Sequence, residues 1–319
     1  MNKSGWLLYE SADAKWNRWF IEKLQKECSV HGLTLKLVFT DYISDAYNMT
    51  LDNVAVNMLK GKETPDFIVN RSRHSGIAYE FEKQGIRIFN PAKVTETAND
   101  KELSYDVARA LGLPFMPFIT VGKDDLLSMF KSPEPVQSVT DTEGYRNVKD
   151  KADDFGYPFV LKPAEGHGGK HVFLINNEAE LHEALQEIRS TYSLLPYKKL
   201  LMQRVASVKG CDLRVYLINN TVVTGMLRTS SDPGNFRANF SLGGRASVHT
   251  LTREERFLTG ELADALPSDY MGIDFIYDRD GIPVFNEFED VCGARMLYAN
   301  TDIDIVRQYA AHIASVLSS

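Results

Sequence analysis

The chain has 319 residues, 44% of them hydrophobic and 25% charged, which is the profile of a globular protein with room for two or three cored sub-domains and excludes a disordered or fibrous one. A formal net charge of -7 and a pI near 5.6 argue against nucleic acid or an anionic membrane surface as the main partner, since both favour a basic face. No apolar run approaches the ~18 residues of a membrane span, and the N-terminus lacks the features of a signal peptide, so a cytoplasmic location is expected. Cys28, Cys211 and Cys292 are too few and too scattered for a disulfide framework or a metal knuckle.

Strand and helix patterns alternate along the chain. "GWLLYES" reads as a strand, Trp16, Trp19, Phe20 and Leu24 recur at helical spacing, and "LTLKLVF" and "PDFIVN" read as strands. The helical "HSGIAYEFEKQG" and the strand "IRIFNP" complete a small α/β domain over residues 1–92. A second unit, 93–200, carries the helix "NDKELSYDVARALG" and the strand "FITVG". Next comes a polar segment from Lys131 to Asp154, expected as a loop or insertion. The unit continues with the strand "FVLKPA", a glycine loop, the strand "HVFLI" and the helix "EAELHEALQEIRS". A third, strand-rich unit over 201–319 opens on "LLMQRV".

The first stretch with a chemical character is "FVLKPAEGHGGKHVFLI". A strand delivers Lys162 at its end, and Gly166, Gly168 and Gly169 let backbone N–H groups approach an anion. That combination suits a polyphosphate, although a flexible hairpin with one exposed lysine explains the segment as well. It is neither a P-loop nor a Rossmann fingerprint, because the loop leads into a strand. In the third unit, "GCDLRVYLINNTVVTGMLRTS" reads as two strands turning at Asn219-Asn220, with Arg214 and Arg228 among apolar neighbours. "NFRANFSLGG" sets Arg237 and Asn239 on one face, and a guanidinium fork grips carboxylates and phosphoryl groups.

The stretch "MGIDFIYDRDGIPVFNEFED" reads as a hairpin turning at Asp280-Gly281. Asp274 lies on its first strand; Glu287 and Glu289, two apart, project from one face of the second. Like charges on one face require water or a cation against them. Three carboxylates without histidine or cysteine are hard oxygen donors that suit magnesium better than zinc.

In this order, "FVLKPAEGHGGKHV", "LLMQRV", "GCDLRVYL", "FRANFSLGGRASVHTLT", "GIDFI" and "VFNEFED" resemble the ATP-grasp superfamily, in the carboxylate–amine ligase branch that includes the ribosomal-protein glutamate ligases. The resemblance covers roughly residues 90 to 319. It implies an α/β fold of the α+β ATP-grasp type, with a small N-terminal α/β domain (1–92) followed by two ATP-grasp subdomains (93–200 and 201–319) and the nucleotide between them. It places Lys101 and Lys162 on ATP phosphates, Gly166, His167, Gly168, Gly169 and Lys170 in a lid over them, Gln203 and Val205 at the adenine edge, and Asp212 near the ribose. Arg214, Arg237 and Asn239 fall where the family binds the acyl phosphate and the acceptor carboxylate, and Asp274, Glu287 and Glu289 on its metal positions. Lys101 as a surface helix lysine and Asp212 as a turn residue are the plainer readings of those two positions.

The chemistry so implied is stepwise amide formation with ATP and magnesium, two ions with manganese as a substitute. The partners are a small-molecule or peptide carboxylate and an amine, with no nucleic acid or membrane, and homo-oligomerisation is left open. A nucleotide-binding regulatory or scaffold protein without turnover is the alternative. Where the branch has Glu-x-Asn-x-x-Pro-Gly, this chain has a second carboxylate at Glu289 and Cys292 in place of the proline. Arg295 and Tyr298 have no assigned counterpart, and "NRSRH", Asn70 to His74, reads either as a lining of the substrate side or as solvated arginines at a strand end.

Overall fold

The structure is a computed structural model that describes residues 2–41, 64–130, 142–165, 171–191, 198–206, 210–230 and 245–319. Its first sheet is parallel, in the order β2-β1-β3-β4, from β1 (Lys3–Tyr9), β2 (Leu33–Phe39), β3 (Phe67–Asn70) and β4 (Arg87–Phe89). Its central strands β1 and β3 are apolar almost throughout and buried on both faces, as parallel strands between helix layers are, whereas edge strand β2 alternates buried and exposed residues. The helical run expected around Trp16 divides at Asn17 into α1 (Ser11–Trp16) and α2 (Arg18–Val30). Helix α2 buries Phe20, Ile21, Leu24 and Cys28 against the Leu7 and Tyr9 face of the sheet. On the other face, α3 (Ser75–Lys83) packs Ile77 and Phe81 against Trp6, Leu8 and Ile68.

The central sheet runs β5-β8-β6-β7 and is antiparallel, from β5 (Phe118–Val121), β6 (Phe159–Pro163), β7 (Phe173–Ile175) and β8 (Leu200–Arg204). Helices α6 (Lys123–Phe130), α7 (Glu143–Phe155) and α8 (Glu178–Thr191) enclose its core. Two expectations are corrected here. The later part of the Lys131 to Asp154 segment is not a loop: α7 starts there on a Thr142 cap that accepts from the Tyr145 N–H, and Tyr145, Val148 and Ala152 form its buried stripe. The many charges of that stretch occupy the outward faces of the helix, which disguised the stripe. Residues 131–141 lie outside the described residues. "LLMQRV" also does not open the third unit: β8 pairs with β5 and β6, so the chain changes sheet after Arg204.

The third sheet is antiparallel in the order β11-β10-β9-β12-β13, formed by β9 (Cys211–Ile218), β10 (Thr221–Thr229), β11 (Arg245–His249), β12 (Tyr270–Tyr277) and β13 (Pro283–Glu289). Side chains alternate along its strands, so one face is apolar and the other is free to carry charge. The apolar face packs on α4 (Ala92–Ala98), α5 (Lys101–Ala110) and α9 (Arg253–Ala265), with Tyr105, Val215, Leu258, Ile273 and Phe285 in one core. Helices α4 and α5, expected with the central unit, thus belong to the third sheet. After α10 (Arg295–Asn300), helix α11 (Ile305–Ser318) returns to the first unit and buries Tyr309 and Ile313 in the core that holds Leu7, Phe20 and Leu24. Among the described residues no helix is long and apolar enough to cross a membrane.

Candidate functional site

The charged face of the third sheet is built by register. Asp212 and Arg214 are two apart on β9 and share a face; Arg228 on β10 stands opposite Asp212, Asp274 on β12 opposite Arg214, and Glu287 on β13 opposite Asp274. A bulge leaves Asn286 unpaired between the Asp274–Glu287 and Phe275–Phe285 pairs. It keeps Phe285 in the core while turning Glu287 and Glu289 to the charged face.

The groups are tightly coupled. Arg214 donates from Nε to Asp274 Oδ1 and from Nη2 to Asp274 Oδ2, both at 2.7 Å, and its Nη2 also reaches Glu289 Oε2 at 3.2 Å. Arg228 binds Asp212 with Nε and Nη2 and donates from Nη2 to Asp274 Oδ2 at 2.6 Å. Burial alone would raise the Asp274 carboxyl, but the two guanidiniums outweigh it and hold the group below the usual aspartate value. The arginines that looked isolated in the sequence therefore meet protein carboxylates.

Two lysines approach this face from other elements. The α5 N-terminus, capped by Asp100, brings Lys101 Nζ to 3.5 Å from Glu287 Oε2, and the Lys101 N–H donates to the Ala164 carbonyl at 2.9 Å. That bond ties α5 to the end of β6. On β6, Lys162 is buried, and its ammonium donates to the Tyr105 hydroxyl at 3.2 Å. Burial pulls the Lys162 pKa down to about 8, with Glu287 acting in the opposite sense. Gln203 Nε2 donates to the same Tyr105 hydroxyl at 2.8 Å, so Tyr105 bridges the central sheet and α5. The sequence reading missed Tyr105, whose only trace was its place on the apolar stripe of a helix.

The structure thus brings together Lys101, Lys162, Arg214, Asp274, Glu287 and Glu289, with Asp212 held beside them through Arg228. Gln203 lies in β8 with its side chain on Tyr105, and Val205 follows the end of that strand. Gly166, His167, Gly168, Gly169, Lys170, Arg237 and Asn239 lie outside the described residues. No group of three His, Cys, Asp or Glu side chains among the described residues is placed to hold a metal ion. The chemistry of the donors divides the expected trio. Side chains of Glu287 and Glu289 are 26% and 23% exposed and offer hard oxygens on one face, which fits magnesium. The Asp274 side chain is 1% exposed and both its oxygens are occupied by guanidiniums, which does not.

The turn after β13 is held from three sides. Asn90 Nδ2 donates to Asp290 Oδ1 at 2.6 Å, Arg71 Nη2 to the Cys292 carbonyl at 3.0 Å, and the Tyr216 hydroxyl to the Gly293 carbonyl at 2.9 Å. Cys292 fills the space beside Gly272, where a Cβ would stand 2.8 Å from its sulfur. In "NRSRH", Asn70, Arg71 and Ser72 are buried, so solvation is not the role of Arg71. Tyr298 is structural, bonded to Asp304 and edge-on to Trp19, and Arg295 is an exposed residue at the start of α10.

A family model described as a RimK-like ATP-grasp domain matches residues 128–313. Beta-citrylglutamate synthase B of Danio rerio is 29% identical over 66% of this chain and 49% of its own length, so the chain spans about half of that relative. A probable alpha-L-glutamate ligase of Hydrogenovibrio crunogenus is 28% identical over 75% of this chain and 71% of its own. Among solved structures, D-cycloserine synthetase DcsG superposes with a TM-score of 0.67 at 16% identity, over 98% of this chain and 99% of that one. D-alanine–D-alanine ligase from Bacillus anthracis, complexed with ATP, gives a TM-score of 0.65 at 14% identity, over 99% of both chains. At such identities the structural likeness is one of fold. The family model covers more than half of the chain, and the chain is a member of the RimK-like ATP-grasp domain family of ligases.

Proposed function

We propose that this chain uses ATP to join a carboxylate to an amine, with L-glutamate as one of the two substrates. The observation that carries the reading is the meeting of Lys162 on the central sheet and Lys101 on α5 with Glu287 on the third sheet, which sets phosphate-binding charge against a carboxylate strand at the junction of two sheets. Support for glutamate comes from the relatives, which are named as a glutamate ligase and a citrylglutamate synthase.

In this reading a substrate carboxylate oxygen attacks the γ-phosphorus of ATP, the bond to the bridging oxygen breaks, and ADP leaves an acyl phosphate. The amine nitrogen then attacks the acyl carbon, phosphate departs with the bonding pair, and the amine loses a proton. Lys162 and Lys101 would hold phosphates and Gln203 and Val205 would border the adenine; the family resemblance assigns the 166–170 segment to the phosphates and Arg237 and Asn239 to the acyl phosphate. Phosphoryl transfer relies on positioning and charge neutralisation more than on covalent help from the protein. Glu287 and Glu289 would hold magnesium, which when bound neutralises phosphate charge during the transfer. Arg214 and Asp274 act through each other: the bidentate pair fixes the guanidinium that reaches Glu289. Asp212 fixes Arg228 in the same way.

Phosphate release tests the reading directly, using purified protein with Mg-ATP, L-glutamate, and a panel of carboxylic acids and short peptides, with mass analysis of products. The expected result is phosphate release that requires both an acid and an amine, with a product mass equal to their sum less water. Nucleotide binding without release for any pair would leave a binding protein instead.

A further inference from the structure

The first sheet has a feature that the ligase reading does not use. From β1 the chain passes to β2 on one side and returns to β3 on the other, so the connections part at the carboxyl ends of β1 and β3. In open parallel sheets such a switch point forms the crevice in which ligands bind. Tyr9 ends β1, and Arg71 is the first residue beyond β3.

Arg71 is 3% exposed. Its Nε donates to the Tyr9 hydroxyl at 2.7 Å and its Nη2 to the Cys292 carbonyl at 3.0 Å, and its guanidinium carbon lies 4.1 Å from the centre of the Phe20 ring. All these partners are neutral. Among the described residues no carboxylate is within ion-pair distance of it. Asp13 pairs with Arg73, while Asp290, hydrogen-bonded by the neutral amides of Asn90 and Asn99, feels the Arg71 charge through space without forming an ion pair with it. Nη1 donates to no described residue. A buried charge without a close ion-pair partner is costly to keep. Phenol, carbonyl and ring orient this guanidinium, and no ion pair among the described residues closes on it, so a ligand carboxylate would find a pre-oriented partner there.

The position is also right for a substrate. Cys292, whose carbonyl Arg71 holds, sets its sulfur 4.0 Å from Arg214 Nη1, and Arg214 reaches Glu289. Two residues, Cys292 and Arg214, link Arg71 to Glu289 on the carboxylate strand. We infer that Arg71 receives a spectator carboxylate of the amino-acid or peptide substrate, one neither phosphorylated nor attacked, at the switch point of the first sheet. The inference rests on the ligase reading and adds to it a specificity subsite: a substrate without a second carboxylate forgoes the ion pair.

Thermal unfolding of the full chain tests it, with L-glutamate and Mg-ADP as separate probes, in the wild type, Arg71→Met, Arg71→Lys and Tyr9→Phe. L-glutamate is expected to raise the wild-type Tm in a saturable way. Arg71→Met should need ~10²-fold more L-glutamate for the same rise, as for loss of a charge-assisted pair. Arg71→Lys and Tyr9→Phe should need roughly tenfold more, because they keep the cation or its setting but lose the fork or its orientation. The Mg-ADP shift should be unchanged in all variants, which a general loosening of the fold would not leave intact. A wild type indifferent to L-glutamate, or an Arg71→Met that responds like the wild type, overturns the assignment. If Arg71→Met shows no cooperative unfolding, wild-type responses in both Arg71→Lys and Tyr9→Phe overturn it equally. Absence of the Mg-ADP shift in the wild type instead counts against the nucleotide reading, so the two failures are separable.

Discussion

Burial sets the working range of Lys162. Its pKa lies at about 8, below the ordinary 10.5, so between those values the folded chain holds a neutral amine where the unfolded chain holds an ammonium. The unfolded state then binds more protons, and the contribution of this group to stability rises with pH across that window. Below about 8 both states are charged and the desolvation penalty is fully present. Lys162→Met should therefore raise the Tm of the ligand-free protein at pH 7 while abolishing phosphate release, as calorimetry and a phosphate assay will show. In the wild type, kcat/KM for ATP should fall as pH rises through about 8, and Lys162→Arg should flatten that limb. The two glutamates of β13 separate in a similar test. Glu287→Gln should remove turnover, since the amide offers one oxygen and no charge. Glu289→Asn should retain activity with a higher magnesium requirement, because a carbonyl oxygen suffices for one metal contact. Equal loss in both, unrelieved by magnesium in a titration at saturating ATP, would count against their assignment.

At the scale of elements, the β12 and β13 hairpin is held by a close fit that a double-mutant cycle can measure. Gly272→Ala sets a Cβ 2.8 Å from the Cys292 sulfur and 3.4 Å from Glu289 Cβ. The expected loss is about 1–3 kcal/mol, as for overpacking elsewhere. Cys292→Ala removes the obstructing sulfur at a smaller loss of its own. Combined, the two should recover most of the Gly272→Ala loss in urea unfolding, whereas simple additivity would show that the contact carries no strain. The hairpin and its carboxylates were legible in the sequence because period-two alternation and an Asp-Gly turn are local patterns. The bulge at Asn286 was not legible, since an unpaired residue is defined only by the partner strand.

Across the whole molecule, one core joins the first unit to the last helix. Ile313 on α11 is fully buried among Leu7, Phe20 and Leu24. All three tryptophans, Trp6, Trp16 and Trp19, lie in the first unit, so their fluorescence reports that unit alone. Ile313→Ala should lower the stability seen by tryptophan fluorescence by about 2–4 kcal/mol, although it lies at the other end of the chain. A fluorescence transition unmoved by Ile313→Ala would mean that the first unit folds without α11.

By itself the sequence determined most of the alternation of elements and the order of lysine, arginine and carboxylate motifs, because hydrophobic period and residue chemistry act over short stretches. It also determined which residue types could meet a polyphosphate. Only the tertiary structure decided what those charges meet. Asp274, a metal ligand by family position, is enclosed by Arg214 and Arg228 from neighbouring strands. Strand β8 joins the central sheet through its partners β5 and β6, and α7 hid its apolar stripe within a run of charges. Tyr105 and Arg71 gained their places through contacts with residues 98 and 221 positions away, Gln203 and Cys292. Such pairings depend on how sheets close on one another, and no local pattern encodes them.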